Sequence, residues 1–426
     1  MRAGRTGRGR TISEKILSSR GGRDARAGDM VTCQVDLALG TDGSTPMALD
    51  YFHAMGGQQV KHPNRLRFFR DHYSPPATLE RSAHHHRMVE FGRSHDIRVH
   101  GVGDGISHQV VMEEGLVLPG HLVVGADSHT VMCGAMNAFA TGIGSSDLAA
   151  LMITGQIWLR VPGTILVTLH GSLPAGVEAK DVALTLLDRL GEQGVNYRTL
   201  EFGGSGVDSM DMESRMVLSN MSVEMGAKAG IFPADGTLED FLWGRSSREW
   251  SAVAADDDAE YEQEVEIDLS KVVPLISVPH SPGKVVEIGE VEGTPVDIVF
   301  VGTCTGGRAS DIRRTLEVLE RAGGLGAGVQ LVVTPASRGV QLALLQDGTL
   351  QRLVEQGAVI TTPGCGPCCC TSGPIPGPGA TVLAAQNRNF KARMGSPEAR
   401  IFLGSASACG AAAALGQIAD PRRLLG

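Results

Sequence analysis

The chain has 426 residues, more than one hydrophobic core normally serves, so we expect two or three domains. Its formal net charge of −9, with no long basic run after the first ten residues, argues against nucleic acid as a partner. No apolar run of about 18 residues offers a membrane span and the basic start lacks an apolar signal-peptide core, so we expect a cytoplasmic protein with no membrane association.

Apolar runs that end at acid and imidazole side chains mark the first part of the chain, which we assign to an α/β domain over residues 1–163. The runs "RLRFFR", "IRVHGVG" and "HLVVGA" lead to Asp71 and His72, to His108, and to Asp127, Ser128 and His129. Each run is typical of a strand, so these side chains are predicted to lie at strand ends.

Three consecutive histidines, His84 to His86, lie within "LERSAHHHRMVEFGRSH", a pattern that predicts a helix. Successive side chains diverge around a helix. We therefore interpret these histidines as part of a solvated helix face rather than as a metal site.

The middle of the chain, which we assign to a second α/β domain over residues 164–275, carries two helical patterns, "LTLLDRLGEQG" and "MESRMVLSNMSVEMGAKAGIF". The second pattern predicts a helix followed by a turn, and it places Asn220 and Glu224 four residues apart on one face. The following segment, "AADDDAEYEQEVEIDLSKVVPLISVPHSPGK", is acidic and then rich in proline. It predicts a solvated strand and a connector between domains.

Short β-branched runs alternate with helical patterns in the last part of the chain, assigned to a third domain over residues 276–426. Five strands are predicted, at "VDIVFVGT", "VQLVVT", "AVITT", "ATVLAAQ" and "ARIFLG". The segment "SDIRRTLEVLERAGG" predicts a helix with Ser310 as its N-cap. This alternation is typical of an α/β fold with a parallel sheet and crossover helices.

The segments that follow these five strands carry polar and thiol side chains: "CTGG", "PAS", "PGCGPCCC", "NRNF" and "SASACG". Open α/β sheets bind ligands outside the carboxyl ends of their strands, so these segments are expected to meet at one crevice. Cys304 is thereby predicted to lie near Cys365 and Cys368.

The C-x-x-C pair at Cys365 and Cys368 is compatible with a zinc half-site, a thioredoxin-type redox pair or iron–sulfur ligation. A zinc ribbon needs a second close pair of ligands, which the sequence lacks. A thioredoxin-type motif opens a helix, which the proline-rich segment after the pair disfavours. Three thiolates, with Cys304 as the third, would leave one corner of a four-iron cube without a protein ligand. An iron with an open position is a Lewis acid.

The other five of the eight cysteines receive ordinary structural interpretations. We expect Cys369 and Cys370 to pack against or line their loop, because adjacent side chains on an irregular loop point apart. Cys33, Cys133 and Cys409 are expected to be small buried side chains.

Taken together, "DSHT", "CTGGR", "CGPC" and "NRNF" resemble the aconitase superfamily, most closely the large subunits of its isopropylmalate dehydratase and homoaconitase branch. The likeness runs from "RTISEKIL" to "SASACGAAAA". It implies three α/β/α-type domains with mainly parallel sheets around a central cleft. It also implies a [4Fe–4S] cluster in that cleft, held by Cys304, Cys365 and Cys368, whose fourth iron binds the substrate.

The resemblance also implies roles for individual side chains. The implied catalytic residues are Asp71, His72, His108, Asp127, His129 and Glu224, and the implied substrate-binding residues are Ser128, Asn220, Asn387, Arg388 and Arg393. His72, held by Asp71, is suited to supply a proton to a departing hydroxyl. The arginine forks suit a di- or tricarboxylate, since guanidinium binds carboxylate through two hydrogen bonds.

Single-chain aconitases continue into a swivelling domain that this sequence does not contain, so we expect a separate small subunit to complete the site. The expected function is that of the large subunit of a hydro-lyase that isomerises a 2-hydroxy di- or tricarboxylate such as 2- or 3-isopropylmalate. Related alkylmalate, citramalate or homoaconitate substrates stay open. The alternatives of another class are a non-catalytic iron or redox sensor and a zinc-bound structural protein.

The sequence departs from the branch at several positions near the predicted site. Thr41 in "TDGST" stands where the branch reads "HDGT", and Gly306 stands where "CTNG" has asparagine. Cys369 and Cys370 follow the second cysteine pair, where an apolar residue and glycine are common, and Ala392 replaces a common glycine. None of these changes removes an expected cluster ligand, whereas several bear on which diacid is the substrate.

Overall fold

The computed structural model describes residues 9–425, and its strands form three sheets and one two-stranded ribbon. The strands are β1 (Met30–Gln34), β2 (Leu37–Thr41), β3 (Leu66–Phe69), β4 (Arg98–His100), β5 (Leu122–Gly125), β6 (Phe139–Gly142), β7 (Gln156–Arg160), β8 (Gly163–His170), β9 (Arg198–Gly203), β10 (Ala229–Ile231), β11 (Gln263–Asp268), β12 (Leu275–Ser277), β13 (Val285–Glu287), β14 (Ile298–Val301), β15 (Gln330–Val333), β16 (Val359–Ile360), β17 (Thr381–Ala384) and β18 (Arg400–Leu403).

Helices connect these strands and cover the sheets. They are α1 (Ile12–Gly21), α2 (Thr45–Ala54), α3 (Leu79–Ser94), α4 (Ser107–Glu113), α5 (Ser145–Thr154), α6 (Ala179–Leu190), α7 (Met212–Met221), α8 (Gly236–Leu242), α9 (Ile288–Val291), α10 (Thr303–Gly306), α11 (Ala309–Arg321), α12 (Arg338–Gln346), α13 (Thr349–Glu355), α14 (Ala406–Leu415) and α15 (Arg422–Leu425). No helix of the described range 9–425 is both long enough and apolar enough to cross a bilayer.

The first sheet has the order β4-β3-β2-β5-β6 and is parallel throughout. Its inner strands β2 and β5 are buried along their whole length, as expected for a parallel sheet with helices on both faces. Beside it, β1 and β7 form the antiparallel ribbon. The second sheet, with the order β10-β9-β8-β11, is also parallel.

The third sheet contains all five predicted strands, in the order β18-β17-β14-β15-β16, and they are mutually parallel as expected. Two further strands extend this sheet: β12 pairs antiparallel with β18, and β13 pairs antiparallel with β12. Both lie in or just after the segment predicted as a connector, so that segment belongs partly to the third sheet. The three-domain division itself, at 163/164 and 275/276, stays a prediction.

The predicted N-cap of α11 is wrong. Arg308, not Ser310, precedes the helix in extended conformation, and its amide donates to Asp311 at 3.0 Å. The hydroxyl of Ser310 instead bonds the carboxylate of Glu213 on α7. The acid three residues after Arg308 therefore fixes the start of this helix.

The first and second sheets are joined where a 3-10 segment, Ser128–Met136, packs against β10. The amide of Phe232 donates to the carbonyl of Gly134 at 3.1 Å. A Cβ atom built on Gly134 would lie 1.9 Å from the carbonyl oxygen of Gly230. Only glycine allows the two backbones to approach this closely.

The variant Gly134→Ala is therefore expected to destabilise the protein by about 3 kcal/mol, the upper part of the range for overpacking a close-packed interior. The matched control is Gly289→Ala on α9, where an added Cβ meets no atom within 4 Å. Thermal unfolding of the two variants measures the difference. Equal melting temperatures for both variants would contradict the close approach of the two backbones.

Candidate active site

The carboxyl ends of the first and third sheets face one another. The amide of Cys365, in the loop after β16, donates to the carbonyl of Asp71, just after β3, at 2.8 Å. The loop after β4 pairs with the loop after β15 through a bridge between Gly105 and Ser337. The segments predicted to follow strand ends are thus brought together across a cleft between two sheets, as well as along one sheet edge.

His72 lies between two carboxylates at the centre of this cleft. Its Nδ1 is 2.9 Å from Asp71 and its Nε2 is 3.3 Å from Asp127. Burial acts to lower the pKa of His72, but Asp71 and Asp127 outweigh burial and raise it well above that of a free histidine. His72 is consequently an imidazolium at neutral pH, with a proton to give.

Asp42 connects His72 to a second histidine, His85. Buried Asp42 accepts the amides of His72 and Tyr73 at 2.9 and 3.0 Å, and it lies 2.7 Å from Nε2 of His85 on α3. The prediction of a solvated histidine face is therefore wrong for His85, which is buried, although His86 is exposed. The pattern of three histidines gives no sign that the middle one faces a buried carboxylate.

A second ionic group joins His129, Glu224 and Arg388. Nε2 of His129 lies 2.9 Å from Glu224, and Nε of Arg388 donates to the other oxygen of this carboxylate at 2.8 Å. Burial acts to raise the pKa of Glu224, but His129 and Arg388 reverse this and lower it, so Glu224 is a carboxylate. This group connects the first sheet, the 3-10 turn Ser222–Met225 that follows α7, and the loop after β17.

His108, in the first turn of α4, is fully buried and lies 6.4 Å from the ring of His129. Burial lowers the pKa of His108 to about 3, against the opposing charge of Asp127. Its Nε2 has no hydrogen-bond partner among residues 9–425. His108 is thus a neutral imidazole with a free polar atom, the opposite of His72.

The predicted ligand cysteines contact the side-chain amides of predicted substrate-binding residues and one arginine. Buried Cys304 lies 3.6 Å from Oδ1 of Asn387, and the amide of Asn387 donates to Asn220. Burial raises the pKa of Cys304 to about 12, and charge on Cys368 adds to this rise.

Cys368 has the more acidic thiol of the C-x-x-C pair. Cys365 and then Arg393, whose Nη2 lies 3.6 Å from the Cys368 sulfur, lower the pKa of Cys368 well below that of a free thiol. Nε of Arg393 is buried without a partner in the described part of the chain. The remaining predicted residue, Ser128, lies beside Asp127 at a cavity of about 500 Å³.

The structure also shows what surrounds the departures from the family pattern. A Cβ on Gly306 would lie 2.3 Å from Cβ of Ala385, so a larger side chain there needs a shift of the loop after β17. Ala392 has a φ of 64°, the left-handed conformation that favours glycine. Thr41 lies 3.1 Å from the hydroxyl of Ser44, and Cys370 is exposed while Cys369 is partly buried.

Cys33, Cys133 and Cys409 are buried, as predicted. Lys180 was missed by sequence reasoning. Burial lowers the pKa of Lys180 to about 8, and its Nζ donates to the carbonyl of Gln386 at 2.7 Å, just before Asn387. A lysine at the start of an amphipathic helix gives no signal that it is buried.

Comparisons with known proteins bear on this site. The model of the aconitase family (aconitate hydratase) matches residues 14–416. The chain belongs to the aconitase family. The family expected from the four motifs is thereby confirmed, and with the dehydratase names of the relatives below it supports an enzyme of the hydro-lyase class.

Two relatives match over almost their full length. The 3-isopropylmalate dehydratase large subunit 1 of Thermotoga maritima is 44% identical over 421 residues, covering 98% of this chain and 100% of the relative. The large subunit 2 of Archaeoglobus fulgidus is 44% identical over 419 residues, with the same coverage. The crystal structure of holo aconitase X from Thermococcus kodakaraensis aligns with a TM-score of 0.51 and 13% identity over 88% of each chain, which supports the expected fold.

The Asp42 network generates a stability prediction. Replacing His85 with alanine leaves a buried carboxylate short of one partner, which typically costs about 1–3 kcal/mol. We expect His85→Ala to lower the melting temperature accordingly, while His86→Ala, next along the helix and exposed, leaves it unchanged. Thermal unfolding measures both variants, and an equal effect of the two would contradict the role of His85.

Proposed function

We propose that the chain is the large, catalytic subunit of a [4Fe–4S] hydro-lyase that removes and re-adds water on a 2-hydroxy di- or tricarboxylate. The observation that carries this proposal is the imidazolium of His72, held between Asp71 and Asp127 and hydrogen-bonded through its loop to the cysteine segment. The relatives are named 3-isopropylmalate dehydratase large subunits, so 2- and 3-isopropylmalate are the first candidate substrates. Related alkylmalates, citramalate and homoaconitate are the alternatives.

The side chains present fit the cluster that the family implies. Cys304, Cys365 and Cys368 would hold it, since thiolates are the ligands that iron–sulfur clusters take and, among residues 9–425, no carboxylate hydrogen-bonds to these thiols. Cys304 is buried and keeps its proton until a metal displaces it. When bound, the cluster would supply an iron that acts as a Lewis acid toward the substrate hydroxyl and carboxylate.

The chain's own residues supply the proton for the departing hydroxyl. Hydroxide leaves a saturated carbon more readily when a positioned acid protonates it, and His72 is such an acid. Because Asp71 and Asp127 raise the pKa of His72, the proton is present below that raised pKa and is lost as the pH rises through it. Asp71 also accepts the amide of Ser107 at 2.8 Å, which fixes the carboxylate that orients His72.

Other side chains bind and position the diacid. Nε2 of His108 is free to hydrogen-bond a substrate oxygen or a water molecule. Arg393 has a buried Nε available for a substrate carboxylate, and Arg388 is oriented by Glu224. Asn220 and Asn387 connect the substrate side of the cleft to Cys304.

A separate small subunit completes the site in this proposal. The relatives are named large subunits, which implies a smaller partner chain, and the chain aligns with them over their whole length. The expected site is therefore shared, with this chain holding the cluster and the acid. The partner would supply a base and further contacts to the substrate.

The test is an anaerobic assay of the full chain, reconstituted with iron and sulfide and mixed with the small subunit of its source organism. Interconversion of 2- and 3-isopropylmalate is expected only in the mixture, and His72→Gln is expected to lower kcat by about 10²- to 10⁴-fold at unchanged iron content. His86→Gln is the matched control. Full iron and sulfide content without turnover of any candidate diacid would overturn the proposed function.

A further inference from the structure

Cys369 makes contacts that the cluster does not require. Its sulfur lies 3.8 Å from the sulfur of Cys365 and 3.3 Å from the hydroxyl of Thr371. One ligand atom each of His72, Cys365 and Cys369 lies within 4.8 Å of the other two. The thiol that departs from the family pattern thus points into the cleft and toward the central histidine.

The backbone explains why Cys369 and Cys370 differ so sharply. Cys365 precedes a 3-10 turn, Gly366–Cys369, that brings the side chain of Cys369 back beside Cys365. Cys370 then has a φ of 54°, a left-handed conformation that reverses the chain direction. Its thiol is exposed, so only one of the two extra cysteines reaches the cleft.

The spacing of the two sulfur atoms matches a single tetrahedral ion. Zinc bound to thiolate has Zn–S distances of about 2.3 Å, so two thiolates on one tetrahedral zinc lie about 3.8 Å apart. The observed separation of Cys365 and Cys369 is the same, 3.8 Å. Two thiolates and an imidazole are a donor set that thiophilic divalent cations such as Zn²⁺ prefer.

The surroundings also suit such an ion. Nδ1 of His72 lies 2.9 Å from Asp71, and a carboxylate on one ring nitrogen is the usual way in which a metal-binding histidine is oriented. An ion on the other nitrogen, Nε2, would replace its contact with Asp127 at 3.3 Å. The hydroxyl of Thr371 lies beside Cys369. The site is partly buried, since all three candidate ligands have intermediate exposure, so an ion can enter from solvent.

We propose that Cys369, with Cys365 and His72, forms a second metal site that binds one thiophilic divalent cation, such as Zn²⁺, when the chain carries no cluster. Cys365 is common to both sets of ligands, so the single ion and the cluster exclude one another. Binding takes protons off the two thiols and the imidazole and leaves the oxidation state of every atom unchanged. The site would hold the cysteine loop together until iron and sulfide arrive.

The experiment is a titration of the full-length chain, freed of metal with a chelator and kept reduced, with Co²⁺ as a spectroscopic substitute for Zn²⁺. Wild-type protein is expected to develop a sulfur-to-cobalt charge-transfer band at one equivalent, and Zn²⁺ is expected to abolish it. Cys369→Ala is expected to weaken cobalt binding by at least about tenfold and to reduce the band. Circular dichroism checks that each variant is folded.

Cys370→Ala is the matched control, because this cysteine is adjacent but exposed, and it is expected to bind cobalt as the wild type does. Equal binding by Cys369→Ala and wild type, or an equal loss in both variants, would overturn the inference. Iron and sulfide content after reconstitution is measured in the same variants and is expected to be unchanged in Cys369→Ala. The single-ion site and the proposed cluster can therefore fail independently.

Discussion

Several backbone hydrogen bonds connect the two halves of the cleft, and one of them runs from the amide of Cys365 to the carbonyl of Asp71 at 2.8 Å. It brings the cysteine loop of the third sheet against the acid and imidazole of the first sheet. Gly364 makes this approach possible, since its φ is +152° and a Cβ there would lie 2.6 Å from the same carbonyl oxygen. The relation between the proton donor and the thiols depends on this contact, so we regard it as the constraint that shapes the site.

Environment gives the two central histidines opposite protonation. Desolvation favours the neutral imidazole at buried His108 and at partly buried His72, but His72 contacts the carboxylates of Asp71 and Asp127, whereas His108 has no hydrogen-bonded acid in residues 9–425. His72 is therefore cationic and His108 neutral at the same pH. In the proposed dehydration, His72 would donate the proton and His108 would offer a neutral hydrogen-bonding atom.

The sequence predicts the parts of this site that follow from the topology of parallel strands. Asp71, Asp127 and Cys304 lie just after strands, and such positions meet at carboxyl ends whatever the details of packing. The motifs also identified the family, which the comparisons confirm. Strand β12, in contrast, is short and antiparallel, and its segment carries prolines that predict a connector.

The residues that were missed depend on packing between distant elements. His85 is buried because α3 lies against the loop after β2, where the carboxylate of Asp42 contacts the His85 ring. A local histidine pattern contains no information about this contact. Cys369 enters the cleft because of a turn whose direction is set by three-dimensional contacts. Ser310 was a reasonable cap by residue type, but Asp311 fixes the helix start two residues earlier.

We propose that three thiolates from one sheet hold a cluster and leave one iron without a protein ligand. Mössbauer spectroscopy of the full chain, reconstituted anaerobically with ⁵⁷Fe, tests it most directly. We expect one iron environment distinct from the other three, which changes when the substrate diacid is added. A spectrum of four equivalent irons that is unchanged by the diacid, or a spectrum of iron bound only as single ions, would contradict this proposal.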